Sequence, residues 1–460
     1  AMAEAEAMPA QRAPQAKTSV GLSALEVQLP PPAQAAARSG RADKMSGLGA
    51  ATIAATNPAP MASDALINPV PRSERDRFEH VDDNPVKQVR EASVSTFSID
   101  VDTASYSLVR RQLNAGRMPA RDAVRSEEMI IYVDSDYPPS QDREAPFGTH
   151  ISVIDSPWRE GNQLVHIGLK GFDIATDERP GSNLVLLLDV SGSMNSPDKL
   201  PLLKQSMGLL LDSLKPTDTV AIVVYAGAAG AVLEPTPVAE KAKILAALEQ
   251  LRAGGSTAGG QGLALAYRLA ELNFDPERVN RIILATDGDF NVGVTGDEQL
   301  EDFVARKRAS GIYLSVLGFG QGNYQDALMQ RLAQNGNGIA AYIDTLSEAQ
   351  KVLSHEATAS LFTIAGDVKI QVEFNPATVA EYRLIGYETR MLQREDFAND
   401  KVDAGDIGSG HTVTAIYEIT PVGSDAGLIG TSRYQTPPAA TAAHTDELGF
   451  LRLRYKLPGA

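Results

Sequence analysis

The chain is 460 residues long, carries a net charge of −16 and contains no cysteine. At roughly 150 residues per domain, that length suggests about three domains. The lack of cysteine excludes disulfides, thiolate zinc sites, iron–sulfur clusters and cysteine nucleophiles, and the acidic balance, with no basic tail or Lys/Arg-rich patch, argues against a nucleic-acid partner.

No apolar run approaches the ~18 residues that a membrane span needs. The start, Ala1-Met2-Ala3-Glu4-Ala5-Glu6, has neither the basic nor the apolar part of a secretory signal. It reads as an expression scar, so membrane contact is expected only through an anchor lying upstream. Residues 1–85 are rich in Ala, Pro, Gly, Ser and Gln, with Pro30-Pro31-Pro32 and Asn57-Pro58-Ala59-Pro60 interrupting any helix. Such a segment buries too little to offset its ordering entropy and is expected to be a flexible tether. As a coil it would span on the order of 50 Å.

The next segment, 86–179, begins to alternate at Thr96–Val101, and Asp102 is expected to cap a helix bearing Tyr106, Val109 and Leu113, closed by Gly116. A second helix is expected over 121–132. Strands follow at 150–154 and 164–169, joined by a turn containing Pro157, Trp158 and Gly161, with Trp158 read as a packing residue.

From Asn183 the rhythm becomes strand–helix alternation. Leu184–Leu188 is a continuous apolar run, as in a strand buried on both faces. Helices are expected at 199–214, 239–251, 259–272, 297–310, 324–335 and 347–357, and strands at 219–225, 281–285, 312–317 and 338–343. Repeated units of this kind imply a doubly wound α/β domain over 180–358, with a mainly parallel sheet and right-handed crossovers. Over 359–460 the pattern returns to alternating strands at 368–374, 378–387, 411–420 and 450–455, with a long loop at 421–447. The strands on either side of 180–358 need partners for their edges. We therefore expect them to pair with each other, so that the α/β domain is inserted into a β-rich domain built from both flanks.

In a doubly wound sheet, ligands bind beyond the carboxyl ends of the strands. There the chain offers Asp189-Val190-Ser191-Gly192-Ser193 after the first buried strand and Thr286-Asp287-Gly288-Asp289 after the strand at 281–285. Gly254-Gly255-Ser256-Thr257-Ala258 precedes the helix at 259–272. Carboxylates and hydroxyls without imidazole or thiolate suit a hard cation, Mg²⁺ first, with Mn²⁺ or Ca²⁺ as substitutes.

Asp189-x-Ser191-x-Ser193, with Thr257 and Asp287, resembles the metal-ion-dependent adhesion site of von Willebrand factor type A domains. The flanks, from Phe97–Tyr106 to Glu381–Glu388 and Leu451–Lys456, are similar to those of a bacterial group of these proteins. That group carries a C-terminal domain of unknown function, in which further residues normally follow the last strand seen here. The resemblance implies that Ser191, Ser193 and Thr257 supply hydroxyls to the metal and that Asp189 and Asp287 bind it directly or through water. A partner's Asp or Glu would take the remaining position. The function implied is metal-dependent protein binding or adhesion, without catalysis, in an extracytoplasmic setting at a bacterial cell envelope. The alternatives are an accessory subunit of an AAA+ ATPase and, far behind, a Mg²⁺-dependent hydrolase.

Other motifs fit less well. Asp287-x-Asp289-x-Asn291 with Glu298 has Val292 where a calcium loop needs Gly. Asp100-x-Asp102 resembles a haloacid-dehalogenase nucleophile, but with Ala104 in place of Thr or Val. Gly318–Gly322 lacks the dinucleotide-binding spacing, and the six histidines are scattered.

Overall fold

The computed structural model describes residues 18–21, 78, 80–140, 145–175, 177–288, 290, 297–320, 325–353, 361–430 and 447–458. The tether expected over 1–85 therefore lies largely outside the described residues, as do Asp289, Asn291 and the middle of the 421–447 loop. In chain order the N-terminal flank forms β1 (Thr18–Gly21), β2 (Lys87–Gln88), β3 (Val94–Ser98), α1 (Ala104–Asn114), α2 (Ser126–Ile131), β4 (Phe147–Asp155) and β5 (Gln163–Gly171). The β4–β5 hairpin turns at Gly161, whose φ of +84° suits a residue without Cβ.

The centre of the chain alternates as its apolar runs require: β6 (Ser182–Asp189), α3 (Leu200–Ser213), β7 (Thr219–Tyr225), β8 (Ala229–Pro237), α4 (Lys241–Gln250), α5 (Gly259–Leu272), β9 (Val279–Thr286), α6 (Asp297–Arg308), β10 (Ile312–Phe319), α7 (Asp326–Asn335), β11 (Ala340–Ile343) and α8 (Leu346–Lys351). One sheet results, in the order β11-β10-β9-β6-β7-β8. Every residue of β6 is buried. Leu184, Leu186 and Leu188 face one core with Leu203, Leu210, Ile244 and Val352, while Val185 and Leu187 face a second with Leu263, Ala266, Val304 and Leu332. All pairings are parallel except β7–β8. Strand β8 is an addition to the sequence reading. It carries Pro235 and Pro237, which a central strand would not tolerate but an edge strand does.

The C-terminal flank adds β12 (Thr363–Phe374), β13 (Val379–Ile385), β14 (Met391–Leu392), β15 (Gly405–Gly408), β16 (Thr412–Pro421) and β17 (Gly449–Lys456). Two antiparallel sheets form, β1-β17-β12-β3-β14, with β15 also on β12, and β2-β13-β16-β5-β4. Strand β3 lies between β12 and β14, and β5 pairs with β16 over eight residues. The flanks thus share their sheets, and the α/β domain is inserted between them. Phe97, Ile370 and Val372 meet Val165, Tyr382 and Tyr417 in a third core, where Phe374 stacks on Tyr382 at 4.5 Å.

The first helix does not belong to this sandwich. Ala104 and Leu108 of α1 join the second core of the α/β domain. Nor does Asp102 cap that helix, as its position suggested. Its Oδ1 accepts from Ala340 N at the start of β11 at 2.8 Å, and its Oδ2 accepts from Arg390 Nη2 at 3.0 Å. The same Arg390 nitrogen donates to Asp100 Oδ1 at 2.7 Å. Glu128 of α2 takes over the cap, accepting from Ser105 N at 2.7 Å, and pairs with Arg125, which also reaches Asp326 of α7. Trp158 is another departure: it is 58% exposed, and its Nε1 donates to Glu418 Oε1 at 2.9 Å.

This junction yields two predictions. Arg390→Ala strands Asp100 and Asp102 in the interior without their cation. It is expected to cost about 3–5 kcal/mol in denaturant unfolding. Burial, reinforced by the charges of Asp100 and Glu128, pushes Glu127 from its ordinary 4.5 up to about 8. Between those values the folded state holds a proton that the unfolded state has released, so stability falls as pH rises through this window. Glu127→Gln is therefore expected to raise stability at pH 9 by on the order of a few kcal/mol and to change little near pH 4, as read from melting curves across pH.

Candidate metal site

From β6 the chain moves to β7 on one side and later reaches β9 on the other, so β6 sits at the switch in strand order. The crevice at the carboxyl ends of such strands is where a doubly wound sheet receives ligands. Asp189 is the last residue of β6 and is wholly buried. Its Oδ1 accepts from Ser191 N at 2.8 Å, and its Oδ2 accepts from Thr286 Oγ1 at 3.2 Å, which ties the end of β6 to the end of β9. The Ser191 and Ser193 hydroxyls lie 2.9 Å apart, the second within a 3₁₀ turn over Gly192–Asn195.

Backbone bonds hold the second loop against the first. Gly192 N donates to Gly255 O at 3.0 Å, and Gly254 N donates to Val190 O at 2.8 Å. Thr257, half-buried, stands two residues beyond Gly255 in the approach to α5. Gly255 has φ +86°, and a Cβ there would lie 3.0 Å from Gly227 N. The loop therefore needs glycine both for its conformation and for this close approach. Asp287 follows β9 directly and is buried, its Oδ2 accepting from Lys199 Nζ at 2.8 Å. Of the five residues expected at the site, direct contacts join Asp189, Ser191 and Ser193. Asp287 follows Thr286, which bonds Asp189, and Thr257 is carried in on a loop stitched to the serine loop.

Burial pushes Asp189 up to about 6, against the hydrogen bonds from Ser191 and with the Asp287 charge adding to the rise. Two carboxylates are thus held out of water while the Lys199 ammonium pairs with Asp287, and a cation at Asp189 would offset the cost of burying its charge. Among the described residues, no cluster of three or more histidines and carboxylates is placed to hold a metal. A cation here would have to draw on hydroxyl oxygens, which this set supplies, and the all-oxygen chemistry fits a hard ion such as Mg²⁺. Thr286 and Lys199 were not singled out in the sequence. Thr286 adjoins Asp287 and was within reach of the strand-end argument, whereas Lys199 carries no local signal pointing to a carboxylate 88 residues away.

With this geometry in place, the chain can be compared with known proteins. It is 46% identical over 389 residues to the uncharacterized protein YfbK of Escherichia coli K12, covering 83% of this chain and 68% of that one. The chain belongs to the YfbK family of bacterial von Willebrand factor type A proteins. The von Willebrand factor type A domain matches residues 183–355, a further von Willebrand factor family matches 72–166, and the YfbK C-terminal family matches 359–460. The uncharacterized protein sll0103 of Synechocystis is 35% identical over 175 residues, covering 38% of this chain and 40% of that protein. Among solved structures, the conserved hypothetical protein BatB of Bacteroides thetaiotaomicron is 26% identical, covering 39% of this chain and 98% of that one with a TM-score of 0.33. The α/β fold with flanking β-rich sheets read from the sequence is that of this family.

The loop geometry makes its own prediction. Gly255→Ala forces a Cβ against Gly227 in a left-handed conformation. It is expected to cost about 1–3 kcal/mol in stability and to weaken any metal uptake by shifting Thr257, as read by thermal unfolding with calorimetric titration.

Proposed function

We propose that the type A domain of this YfbK relative is a divalent-cation-dependent protein-binding module, with Mg²⁺ the favoured ion. The observation that carries this reading is the buried Asp189 with the paired Ser191 and Ser193 hydroxyls at the switch point of the sheet, beside a loop bearing Thr257. A bound divalent cation would supply one strongly electrophilic contact for a carboxylate. The residues of the chain orient that contact: Ser191, Ser193 and Thr257 offer hydroxyls, Asp189 and Asp287 offer negative charge, and Thr286 fixes the Asp189 carboxylate. An Asp or Glu side chain on the partner protein is the natural occupant of a remaining position, through a charge-assisted contact made out of bulk water. The net charge of −16 opposes an acidic partner at long range, but physiological salt screens that beyond ~8–10 Å.

The setting we favour is the bacterial cell envelope, on the strength of the Ala- and Pro-rich composition of residues 1–85, which suits a spacer between a surface and a folded body. The site is read as one for binding rather than for catalysis.

Calorimetric titration of Mg²⁺ into the chelator-stripped protein tests the reading. Heat of one-to-one binding is expected for the wild type. Asp189→Ala or Thr257→Ala should reduce it at least tenfold while far-ultraviolet dichroism stays unchanged. Partner capture through this face that survives EDTA would count against the reading.

A further inference from the structure

Lys199 reaches the site from an unexpected direction. It immediately precedes α3, its N–H donating to Ser196 O at 3.1 Å and its carbonyl accepting from Leu203 N at 2.8 Å. The side chain is only 8% exposed and runs inward to Asp287 Oδ2 at 2.8 Å. Its aliphatic stem crosses Gly320 at the end of β10, where φ is +74° and any side chain would overlap the stem. The Gly320 carbonyl accepts from Arg111 of α1 at 3.1 Å and from the Tyr342 hydroxyl of β11. A groove that glycine keeps open, with its carbonyl held from two other elements, therefore guides this ammonium to one carboxylate.

Ordering and burying a lysine is costly in rotamer entropy and in desolvation, and here the return is a single buried ion pair. A divalent ion held by Asp189, Ser191 and Ser193 and drawing on Asp287 would lie within several ångströms of that ammonium. Away from bulk water, repulsion between the two cations would be of the same order as the attraction that Asp287 offers either of them. We propose that Lys199 is a built-in counter-cation of this site, which neutralises Asp287 while no divalent ion is bound and must withdraw for one to enter. Ion occupancy and the seating of Lys199 across Gly320 are then alternatives, and two-state coupling of this kind is reciprocal. The inference rests on the reading of the site as one for a divalent cation.

The experiment is calorimetric titration of Mg²⁺ into the chelator-stripped full chain, as wild type, Lys199→Met and Lys199→Arg, with thermal unfolding of each before and after addition. Lys199→Met is expected to bind Mg²⁺ at least tenfold more tightly than wild type. It should also melt lower without the ion and gain more from it, whereas Lys199→Arg should keep the wild-type affinity or bind more weakly. Equal or weaker Mg²⁺ binding by Lys199→Met, with the wild type binding, overturns the inference and leaves the metal reading standing. Binding by Lys199→Met alone supports the inference, and binding by none of the three overturns both. Amine labelling of the wild type followed by peptide mass spectrometry does not depend on the variants folding. Lys199 should react faster in saturating Mg²⁺ than without it, and an unchanged rate in protein shown to bind the ion overturns the inference.

Discussion

Two carboxylates held away from water at the end of a parallel sheet set the terms for this molecule. Asp189 ends β6 and Asp287 follows β9, adjacent strands whose apolar runs Leu184–Leu188 and Ile282–Ala285 lead up to them, and the sheet that buries them gives them little solvent to lean on. Such groups take up protons, find cations or accumulate donors. Each tendency has its counterpart here. Asp189 is pushed upward, Lys199 is drawn in through the core, and Ser191 and Thr286 turn their donors toward Asp189. The crevice is best understood as a place where negative charge has been concentrated and then only partly answered.

The same logic recurs at the seam between the α/β domain and the sandwich. Asp100 and Asp102 follow β3 and are buried, and Arg390 from the other flank serves both. Asp102 in addition grips the first amide of β11. Arg125 does the same for Glu128 and Asp326. Buried ion pairs of this type add little net stability, but breaking one is costly, so they act to specify how the parts meet. The helix α1 sits between the two regions: its core residues pack on the α/β sheet, while the carboxylates just before it answer to the sandwich.

How much of this the sequence disclosed depended on how local each signal was. The run Leu184–Leu188 declared a central strand because every position is apolar. Asp189, Ser191 and Ser193 were legible because a strand end and a tight turn place them within five residues. Strand β8 was hidden by Pro235 and Pro237, whose usual meaning is interruption; only the edge position of β8 in the sheet makes them acceptable. Asp102 stands where an N-cap belongs, and local spacing could not reveal that Ala340 and Arg390 would claim its oxygens first. Trp158 read as a packing residue from its place beside Pro157 in a turn, yet its indole rests at the surface to reach Glu418, a partner 260 residues away that local sequence could not reveal. Lys199 was illegible for a stronger reason: its course is set by Gly320, which lies far along the chain, just past the end of β10.

The interleaving of the two flanks also bears on how the protein is made. Gln371 of β12 donates to Thr96 of β3, partners 275 residues apart. At ribosomal speeds of about 5–20 residues per second, the early strands wait on the order of tens of seconds before their mates emerge. Throughout that interval β3 and the β4–β5 hairpin expose unsatisfied edges, the feature most prone to stray pairing. The α/β domain, complete before the last strands are synthesised, can consolidate during the delay and bring residues near 175 and 362 together. Its folding thereby closes the long loop between the halves of the sandwich and removes most of the entropic barrier to joining them.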